Sequence, residues 1–143
     1  RSWVIRTAWL YGADGPNFVR TMGRLARERE TVSVVADQRG QPTWTRDLAD
    51  LIVRLVDAGA GFGIHHGTSS GSTTWHGLAA EVFASLGLDR ARVEPTTTDA
   101  FPRPAHRPAY SVLAHDSLVA AGVTPIRDWR EALREALPTV VPQ

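Results

Sequence analysis

Residues 45–56 carry the strongest periodic signal in the chain. One continuous apolar stripe recurs there at helical spacing, formed by Leu48, Leu51, Ile52, Leu55 and Val56. Such a stripe predicts an amphipathic helix, and Thr45 has a side chain suited to be its N-cap. The apolar segment Val32–Val35, a short way upstream, reads as a strand. The pair indicates a fold in which strands and helices alternate.

The remaining segments continue this alternation. Residues 3–5 and 62–66 read as further short strands, and apolar residues at helical spacing indicate four more helices. Those helices follow Asn17, begin at Trp75 and stop at Gly87, occupy residues 116–121, and follow Asp128. Asn and Asp suit helix starts, and Gly suits a helix stop. We expect an α/β chain with few short strands and about five helices.

The composition narrows the classes of protein. With 143 residues, the chain is about one domain long. No apolar run approaches the ~20 residues of a membrane span, and no secretory signal is visible. Cysteine is absent, which excludes disulfides and thiolate chemistry. A cytoplasmic protein fits best. The net charge of +1 implies no broad electrostatic field for nucleic acid.

Familiar catalytic motifs are poorly matched. His65 and His66 are neighbours on a strand, so they point to opposite faces, and His76, His106 and His115 are scattered. A metal site is therefore not favoured. The run from Gly67 to Gly71 is not a nucleophile elbow, and the run from Gly12 to Gly15 lacks the third glycine of a dinucleotide fingerprint. All 16 basic residues are arginine, so no lysine amine is available for catalysis.

Polar loops that follow the strand ends are the remaining candidates for a site. They contain Trp9, Asn17 and Phe18, the constrained run of residues 38–43, and the run of residues 105–108. Residues 93–110 hold four prolines, which argues against a long helix or a central strand there. Each loop is explained by plain turn chemistry, or together they line a cleft for an anionic, partly aromatic ligand.

The ordered set of these runs resembles a known family. The runs begin at Arg6 (RTAWLYG), Asn17 (NFVRTM), Val34 (VVADQRGQPT), Asp47 (DLA), Gly63 (GIHHG), Phe101 (FPRPAHRPAYSVL) and Asp128 (DWREAL). Together they resemble the C-terminal half of dTDP-4-dehydrorhamnose reductases, members of the extended short-chain dehydrogenase/reductase superfamily. The similarity extends from residue 3 to about residue 137. Its most specific parts are DQ-x-G-x-PT and RP-x-x-S-x-L.

The resemblance implies the C-terminal part of an extended short-chain dehydrogenase Rossmann fold, including its small substrate-binding domain. Residues 1–12 and 46–67 would be parts of the Rossmann sheet layer, and residues 13–45 and 88–137 mainly the substrate domain. The implied reaction is hydride transfer from NADPH or NADH to C4 of dTDP-4-dehydro-L-rhamnose, giving dTDP-L-rhamnose. The implied partners are the dTDP-sugar and an N-terminal Rossmann half, and a homodimer stays open.

The resemblance also implies that the catalytic residues lie elsewhere. The family carries its Gly-rich cofactor loop, a catalytic Ser/Thr and a Tyr-x-x-x-Lys pair in the N-terminal half. Tyr11 and Tyr110 have no Lys four residues on. We therefore expect this chain to be a fragment that binds part of the ligand and catalyses nothing by itself. The start of the sequence directly before a strand fits that expectation.

Site residues follow from the resemblance by position. The backbone of Thr7 and Ala8 would approach the nicotinamide carboxamide, and the Trp9 ring would lie against the deoxysugar. A core tryptophan at a strand end is the plainer interpretation of Trp9. His66 also matches a family position, and we expect it to be structural.

The other implied contacts are on the nucleotide side of the substrate. Asn17 and Phe18 resemble the pair that opens the substrate-side helix, although Asn17 equally suits an N-cap. Gln38 and Arg39 would be presented by the rigid loop, since Gly40 and the proline after it constrain the backbone. Arg107 would reach the pyrophosphate through its guanidinium fork.

Two alternatives remain open from the sequence. A non-catalytic sugar-nucleotide-binding or regulatory module of the same fold would share every run named above. A related sugar-nucleotide epimerase or dehydratase is the weaker alternative, because the DQ-x-G-x-PT run argues against it.

Overall fold

The computed structural model describes residues 1–102, 104–105 and 107–142. Within these ranges the helices are α1 (Phe18–Glu28), α2 (Thr45–Asp57), α3 (Trp75–Ser85), α4 (Asp116–Ala120) and α5 (Trp129–Val140). The expectation of about five helices in an α/β chain is confirmed. None of the helices in the described ranges is both long and apolar enough to cross a membrane.

The strands are short and pair two by two. They are β1 (Trp3–Arg6), β2 (Leu10–Tyr11), β3 (Val32–Val35), β4 (Arg39–Gly40), β5 (Thr43–Trp44), β6 (Gly63–His66), β7 (Ser69–Ser70), β8 (Thr73–Thr74), β9 (Val93–Thr96) and β10 (Ile126–Asp128). Four pairs are parallel, namely β1 with β6, β2 with β5, β3 with β9 and β7 with β10, and β4 with β8 is antiparallel. Parallel pairs need long crossovers, so each of them joins distant parts of the sequence.

Two of the three predicted N-caps, Asn17 and Asp128, are present at the helix starts. Asn17 caps α1, because its Oδ1 accepts a hydrogen bond from the Arg20 amide at 3.0 Å, and Asp128 caps α5 through the Arg130 amide at 2.8 Å. The expectation that Thr45 caps α2 is wrong. Thr45 is the first helical residue, and the cap position belongs to Trp44, which makes no side-chain cap bond. The reason is that β5 holds Trp44 extended against β2 up to the helix start.

Two apolar cores lie inside the chain. The large core joins α1, α3 and α5, and its fully buried members include Val19, Val82, Phe83, Trp129 and Leu133. The small core is formed by Leu51, Leu55, Ala60, Leu118, Val123 and Ile126. The buried face of α5 belongs to the large core, through Trp129, Leu133, Ala136 and Leu137.

The apolar stripe of α2 is split in two. Leu51 and Leu55 are buried in the small core, each 1% exposed. Ile52 and Val56 remain 40% and 47% exposed, and Val53 next to them is 58% exposed. The helix therefore has an outer apolar face that nothing in the described chain covers, which we call the outer face of α2.

One face of the β1–β6 pair is also uncovered. Val4 and Ile64 are directly opposite each other in the register, and each is 50% exposed. Ile5, on the other side of β1, packs against the small core. Parallel strands are normally covered on both faces. The Val4–Ile64 face is therefore a second apolar surface without a cover among the described residues.

An arginine joins three elements near the base of the large core. The Nε and Nη2 groups of Arg127 each donate to the Asp47 carboxylate at 3.0 Å, and Nη1 donates to Glu135. These bonds raise the pKa of the Arg127 guanidinium, mainly through the hydrogen bonds to Asp47. The same guanidinium lies 5.7 Å from the Trp44 ring centre. The arrangement holds α2, β10 and α5 together around a buried tryptophan.

The buried side chain of Gln41 connects three loops. Its Nε2 donates to the carbonyl oxygens of Ser69 and Leu113, both at 3.2 Å. Its Oε1 accepts from the Leu113 amide at 2.8 Å. Gln41 is only 3% exposed, so these backbone groups have no easy access to water as a substitute. The run of residues 38–43 is thus held in place by its own buried amide.

Substitution of Gln41 by Leu should lower the free energy of unfolding by about 2 kcal/mol or more, because buried backbone groups would lose their partners. Ser111→Ala is the control, since it removes only the exposed bond from Ser111 Oγ to the Arg39 carbonyl. It should cost less than about 1 kcal/mol. Chemical denaturation measures both. Equal losses for the two variants would contradict the connecting role of Gln41.

Candidate functional site

A cavity of about 570 Å³ lies beside the large core. One wall is apolar and aromatic, and is formed by Phe18 and Met22 of α1, Val34 and Val35 of β3, and Trp75 at the start of α3. We call it the aromatic cavity. Its position follows from the strand ends, since the loop after β3 and the loop before α3 meet here.

The opposite wall comes from the proline-rich part of the chain. It includes Thr98 and Asp99 from a 3-10 turn (Thr98–Ala100), followed by Phe101, Pro102, Ala105 and Arg107. Phe101 is 46% exposed although it lines the cavity, so the cavity is open to solvent on this side. His106, which belongs to the predicted run of residues 105–108, lies outside the described residues.

Two tryptophan rings are stacked at the apolar, aromatic wall of the cavity. The ring centroids of Trp9 and Trp75 are 3.6 Å apart, and the angle between the ring planes is 12°. Phe18 meets Trp75 at 4.7 Å with an angle of 54°. Trp75 lines the cavity, whereas Trp9 is not among the described residues that line it. Trp9 therefore lies behind Trp75 as its support.

The backbone of Trp9 is strained. Among the described residues other than glycine, only Trp9 has a positive φ, of 47°. A bulky side chain in this region costs of order 1–3 kcal/mol and persists only where the surroundings fix it. Such residues cluster at functional sites.

Gly40 makes room for the Trp9 ring. A Cβ atom at position 40 would lie 2.5 Å from Trp9 Cε2 and 2.6 Å from Cζ2. This contact is far inside van der Waals distance, and the ring cannot move freely because it is stacked on Trp75. The glycine of the constrained run is therefore required for close approach, which explains part of the unusual composition of residues 38–43.

A chain of hydrogen bonds crosses the cavity floor. Trp75 Nε1 donates to Gln38 Oε1 at 3.2 Å, and Gln38 Nε2 donates to Thr98 Oγ1 at 2.9 Å. Thr98 Oγ1 in turn donates to Asp37 Oδ1 at 2.7 Å. The Asp37 carboxylate also accepts from the Thr98 amide, at 3.0 and 3.1 Å. That amide bond and the hydroxyl bond hold the pKa of Asp37 below its usual value.

The residues singled out from the sequence are partly brought together here. Phe18, Gln38 and Arg107 all line the aromatic cavity. Arg39 does not line it among the described residues, and its Nη1 donates to Ser72 Oγ at 3.0 Å. Asn17 caps α1 and lines a separate cavity on the other side of that helix.

Thr7 and Ala8 follow directly after β1, at the carboxyl end of that strand. Thr7 Oγ1 is buried and has no hydrogen-bond partner within the described residues.

Neither tyrosine has the setting of a catalytic acid. Tyr11 is 2% exposed in the large core, and burial, with the nearby Asp47 as a second cause, raises the pKa of its hydroxyl. Tyr110 is 65% exposed beside Arg39.

The histidines within the described ranges contact nearby backbone and hydroxyl groups. His65 Nε2 contacts the Gly61 carbonyl at 3.0 Å, whereas His66 Nδ1 contacts the Ala114 carbonyl at 2.8 Å. The two adjacent side chains therefore point to different segments, as their place on one strand predicts. His115 contacts Thr68 Oγ1 at 2.9 Å, and burial lowers the pKa of its imidazole. These contacts indicate structural roles.

Two of the lining residues that sequence reasoning missed, Trp75 and Thr98, take part in the hydrogen bonds of the cavity. The sequence marks Trp75 only as a helix start, and its position as the first helical residue, next to a polar loop, is the signal that distinguishes it. Thr98 belongs to a run of three threonines, residues 96–98, and no local pattern separates it from its neighbours.

Comparison with known proteins places this geometry in a family. A family profile described as the RmlD substrate binding domain matches residues 1–141. A probable dTDP-4,6-dihydroxy-2-methyloxan-3-one 4-ketoreductase from Streptomyces antibioticus is 56% identical over 138 residues, covering 96% of this chain and 47% of that protein. A dTDP-4-dehydrorhamnose reductase from Streptomyces griseus is 54% identical over 142 residues, with 96% and 47% covered.

A solved structure has the same fold. The dTDP-4-dehydrorhamnose reductase of Bacillus anthracis, in complex with NADP, superposes with a TM-score of 0.88 at 38% sequence identity. The match covers 94% of this chain and 47% of that one. The chain thus spans about half the length of the relatives it matches. The predicted resemblance, and the fold class of a C-terminal part of an extended short-chain reductase, are confirmed.

Substitution of Gly40 by Ala should displace the Trp9 ring and lower the free energy of unfolding by about 1–3 kcal/mol, the usual cost of overpacking. The circular dichroism signal of the stacked tryptophans should fall with it. Gly61→Ala is the matched control, because a Cβ atom there meets nothing within 4 Å. A Gly40→Ala protein with wild-type stability and an unchanged tryptophan signal would show that the contact is not needed.

Proposed function

Because the chain belongs to the RmlD substrate-binding domain family, we propose that it is the dTDP-sugar-binding portion of an NAD(P)H-dependent reductase. The proposed reaction of the whole protein is reduction of dTDP-4-dehydro-L-rhamnose to dTDP-L-rhamnose. The observation that carries the proposal is the aromatic cavity, which combines flat apolar walls with an arginine. This chain alone is expected to bind and not to reduce.

The walls of the cavity suit a nucleoside diphosphate. Phe18 and Trp75 offer ring surfaces against which a pyrimidine base or a deoxysugar can pack. Gln38 is buried with one edge in the cavity, and its amide group has both donor and acceptor atoms. Arg107 lines the open side, where its guanidinium suits a diphosphate.

The proposed role of the other predicted residues follows from their positions. Trp9 is stacked on Trp75 and does not itself line the cavity among the described residues, so we propose that it acts on the sugar through the Trp75 ring. The Arg39 side chain is held by Ser72, and we assign it to the shape of the loop. Asn17 contributes by fixing the start of α1, which carries Phe18.

The cofactor would be NADPH or NADH, which supplies the hydride when bound. The part of this chain that fits it is the end of β1, where the partnerless Thr7 hydroxyl and the neighbouring Ala8 backbone offer hydrogen-bonding groups. No catalytic residue is assigned to this chain. We place the residues that hold most of the cofactor in a preceding half of the protein.

The same proposal explains the uncovered apolar surfaces. We assign the Val4–Ile64 face and the outer face of α2 to contacts with that preceding half, which would continue the parallel sheet beyond β1. In this division, residues 1–12 and 46–67 belong to the sheet layer, and residues 13–45 and 88–137 mainly to the substrate domain. The competing assignment is that the same surfaces form the contacts between two copies of the chain in a homodimer.

Calorimetric titration with dTDP tests the binding site. Wild-type chain should release or take up heat on binding, and Arg107→Ala should weaken binding by about 1–3 kcal/mol, the usual cost of a lost charged hydrogen bond. Arg24→Ala is the control, because Arg24 pairs with Glu28 on α1 away from the cavity. No binding by the wild-type chain would refute the proposal for the cavity.

A parallel titration with dTDP-rhamnose and a dTDP-hexose that retains its 6-hydroxyl tests the sugar. Preference for the 6-deoxysugar is expected, since the walls near Trp75 are apolar. Equal affinity for both sugars would show that the chain does not read this part of the substrate.

The surface assignment is tested by sedimentation and dye binding. The isolated chain should self-associate and bind a hydrophobic dye, and the double change Val53→Glu, Val56→Glu should reduce both while the melting temperature stays close to that of wild type. Val119→Glu is the control, because Val119 is 65% exposed on α4 away from these surfaces. A wild-type chain that is a compact monomer and binds no dye contradicts the assignment.

A further inference from the structure

The hydrogen bonds from Trp75 to Asp37 have only one possible direction. The indole Nε1 is a donor only, and an ionised carboxylate is an acceptor only. Trp75 must therefore donate to Gln38 Oε1, which leaves Gln38 Nε2 as the donor to Thr98 Oγ1. The Thr98 hydroxyl must then donate its hydrogen bond to Asp37. Each hydrogen bond fixes the direction of the next, so this series of hydrogen bonds has one arrangement.

Thr98 is the residue on which this order depends. Its hydroxyl oxygen is the one atom in this series of hydrogen bonds that both accepts and donates, since it accepts from Gln38 Nε2 at 2.9 Å and donates its proton to Asp37 at 2.7 Å. Its amide is bound to the same carboxylate. Without that hydroxyl, Gln38 Nε2 would lose its acceptor, and the side-chain amide would be held by the Trp75 bond alone.

The strained Trp9 lies at the end of this chain. Its positive φ needs a fixed surrounding, and that surrounding consists of the stacked Trp75 ring and of Gly40, which leaves no room for a Cβ atom against the Trp9 ring. The Trp75 ring is oriented in turn by its Nε1 bond to Gln38. A change in Thr98 is therefore transmitted through two hydrogen bonds and one ring stack.

We propose that Thr98 is a positioning residue that fixes the Trp75–Trp9 stack and so couples the two walls of the aromatic cavity. Thr98 belongs to the turn that opens the proline-rich wall, whereas Trp75 lines the opposite wall with Trp9 stacked behind it. The ring pair is then pre-set for its ligand before the ligand arrives. The coupling follows from the ligand-free geometry, and its effect on dTDP affinity rests on the function proposed above.

The experiment compares three threonine variants in the ligand-free chain and then with dTDP. Thr98→Val removes the hydroxyl at almost constant shape. Thr98→Ser keeps the hydroxyl and removes a methyl group. Thr97→Val is the matched control, because Thr97 is the neighbouring exposed threonine and makes no side-chain cap bond.

The first readout is the exciton signal of the stacked indoles in circular dichroism. Its contribution is defined by the difference between wild type and Trp9→Phe. Thr98→Val should lose at least about half of this signal, since coupling of two rings depends steeply on their mutual orientation. Thr98→Ser and Thr97→Val should retain it. Gln38→Met, which removes both bonds of the amide, should lose it as well, and provides a second test if Thr98→Val does not fold.

The second readout is dTDP affinity by calorimetry. Thr98→Val should bind about tenfold more weakly than wild type, the effect of one disrupted hydrogen-bonded unit, whereas Thr98→Ser should bind within about twofold of it. A Thr98→Val chain that keeps both the exciton signal and the affinity would overturn the inference. Loss of the signal in Thr98→Ser to the same degree would overturn it too, because the hydroxyl would then not be the cause.

The two proposals fail in different ways. Failure of the wild-type chain to bind dTDP would refute the proposed function, while the exciton signals of the ligand-free variants would still decide the role of Thr98. If the wild-type chain binds dTDP and the Thr98→Val signal is unchanged, the positioning role is refuted and the function stands.

Discussion

A single buried amide holds the site together. Gln41 binds the backbone of Ser69 and Leu113, and so joins the loop after β4 to the loops that follow β6 and precede α4. The cost of burying such a group without partners is large, which is why the three loops have one relative arrangement. Gln38 and Gly40, on which the cavity depends, are close to Gln41 in the sequence, so the bonds of Gln41 also restrict their positions.

The fixed direction of the hydrogen bonds, and not the number of polar groups, organises the cavity. Asp37, Thr98, Gln38 and Trp75 form one chain with one direction, and at its end the strained Trp9 is kept in place. The hydrogen bonds fix one another's direction, and Gln38 in the middle of the series is buried. The function proposed for the cavity relies on this rigidity, because a preformed wall loses little freedom when a flat ligand binds.

The other side of the molecule has a different character. Val4, Ile64, Ile52, Val53 and Val56 expose apolar surface that the described chain leaves uncovered. These faces fit the contacts with a preceding half that we propose for the whole protein. The family relatives are about twice as long as this chain.

The sequence by itself determined the five helices, three of the ten strands in the described ranges, most caps and the family, because helical periodicity, Asn and Asp caps, and motif order are local properties. It also selected Phe18, Gln38 and Arg107, which line the cavity. Only the tertiary structure decided that Thr45 is not a cap, that the α2 stripe divides between a core and an open surface, and that Trp75 and Thr98 belong to the site. Each of these depends on contacts between residues far apart in the chain, such as β5 with β2 or Thr98 with Gln38, and no local pattern encodes such contacts.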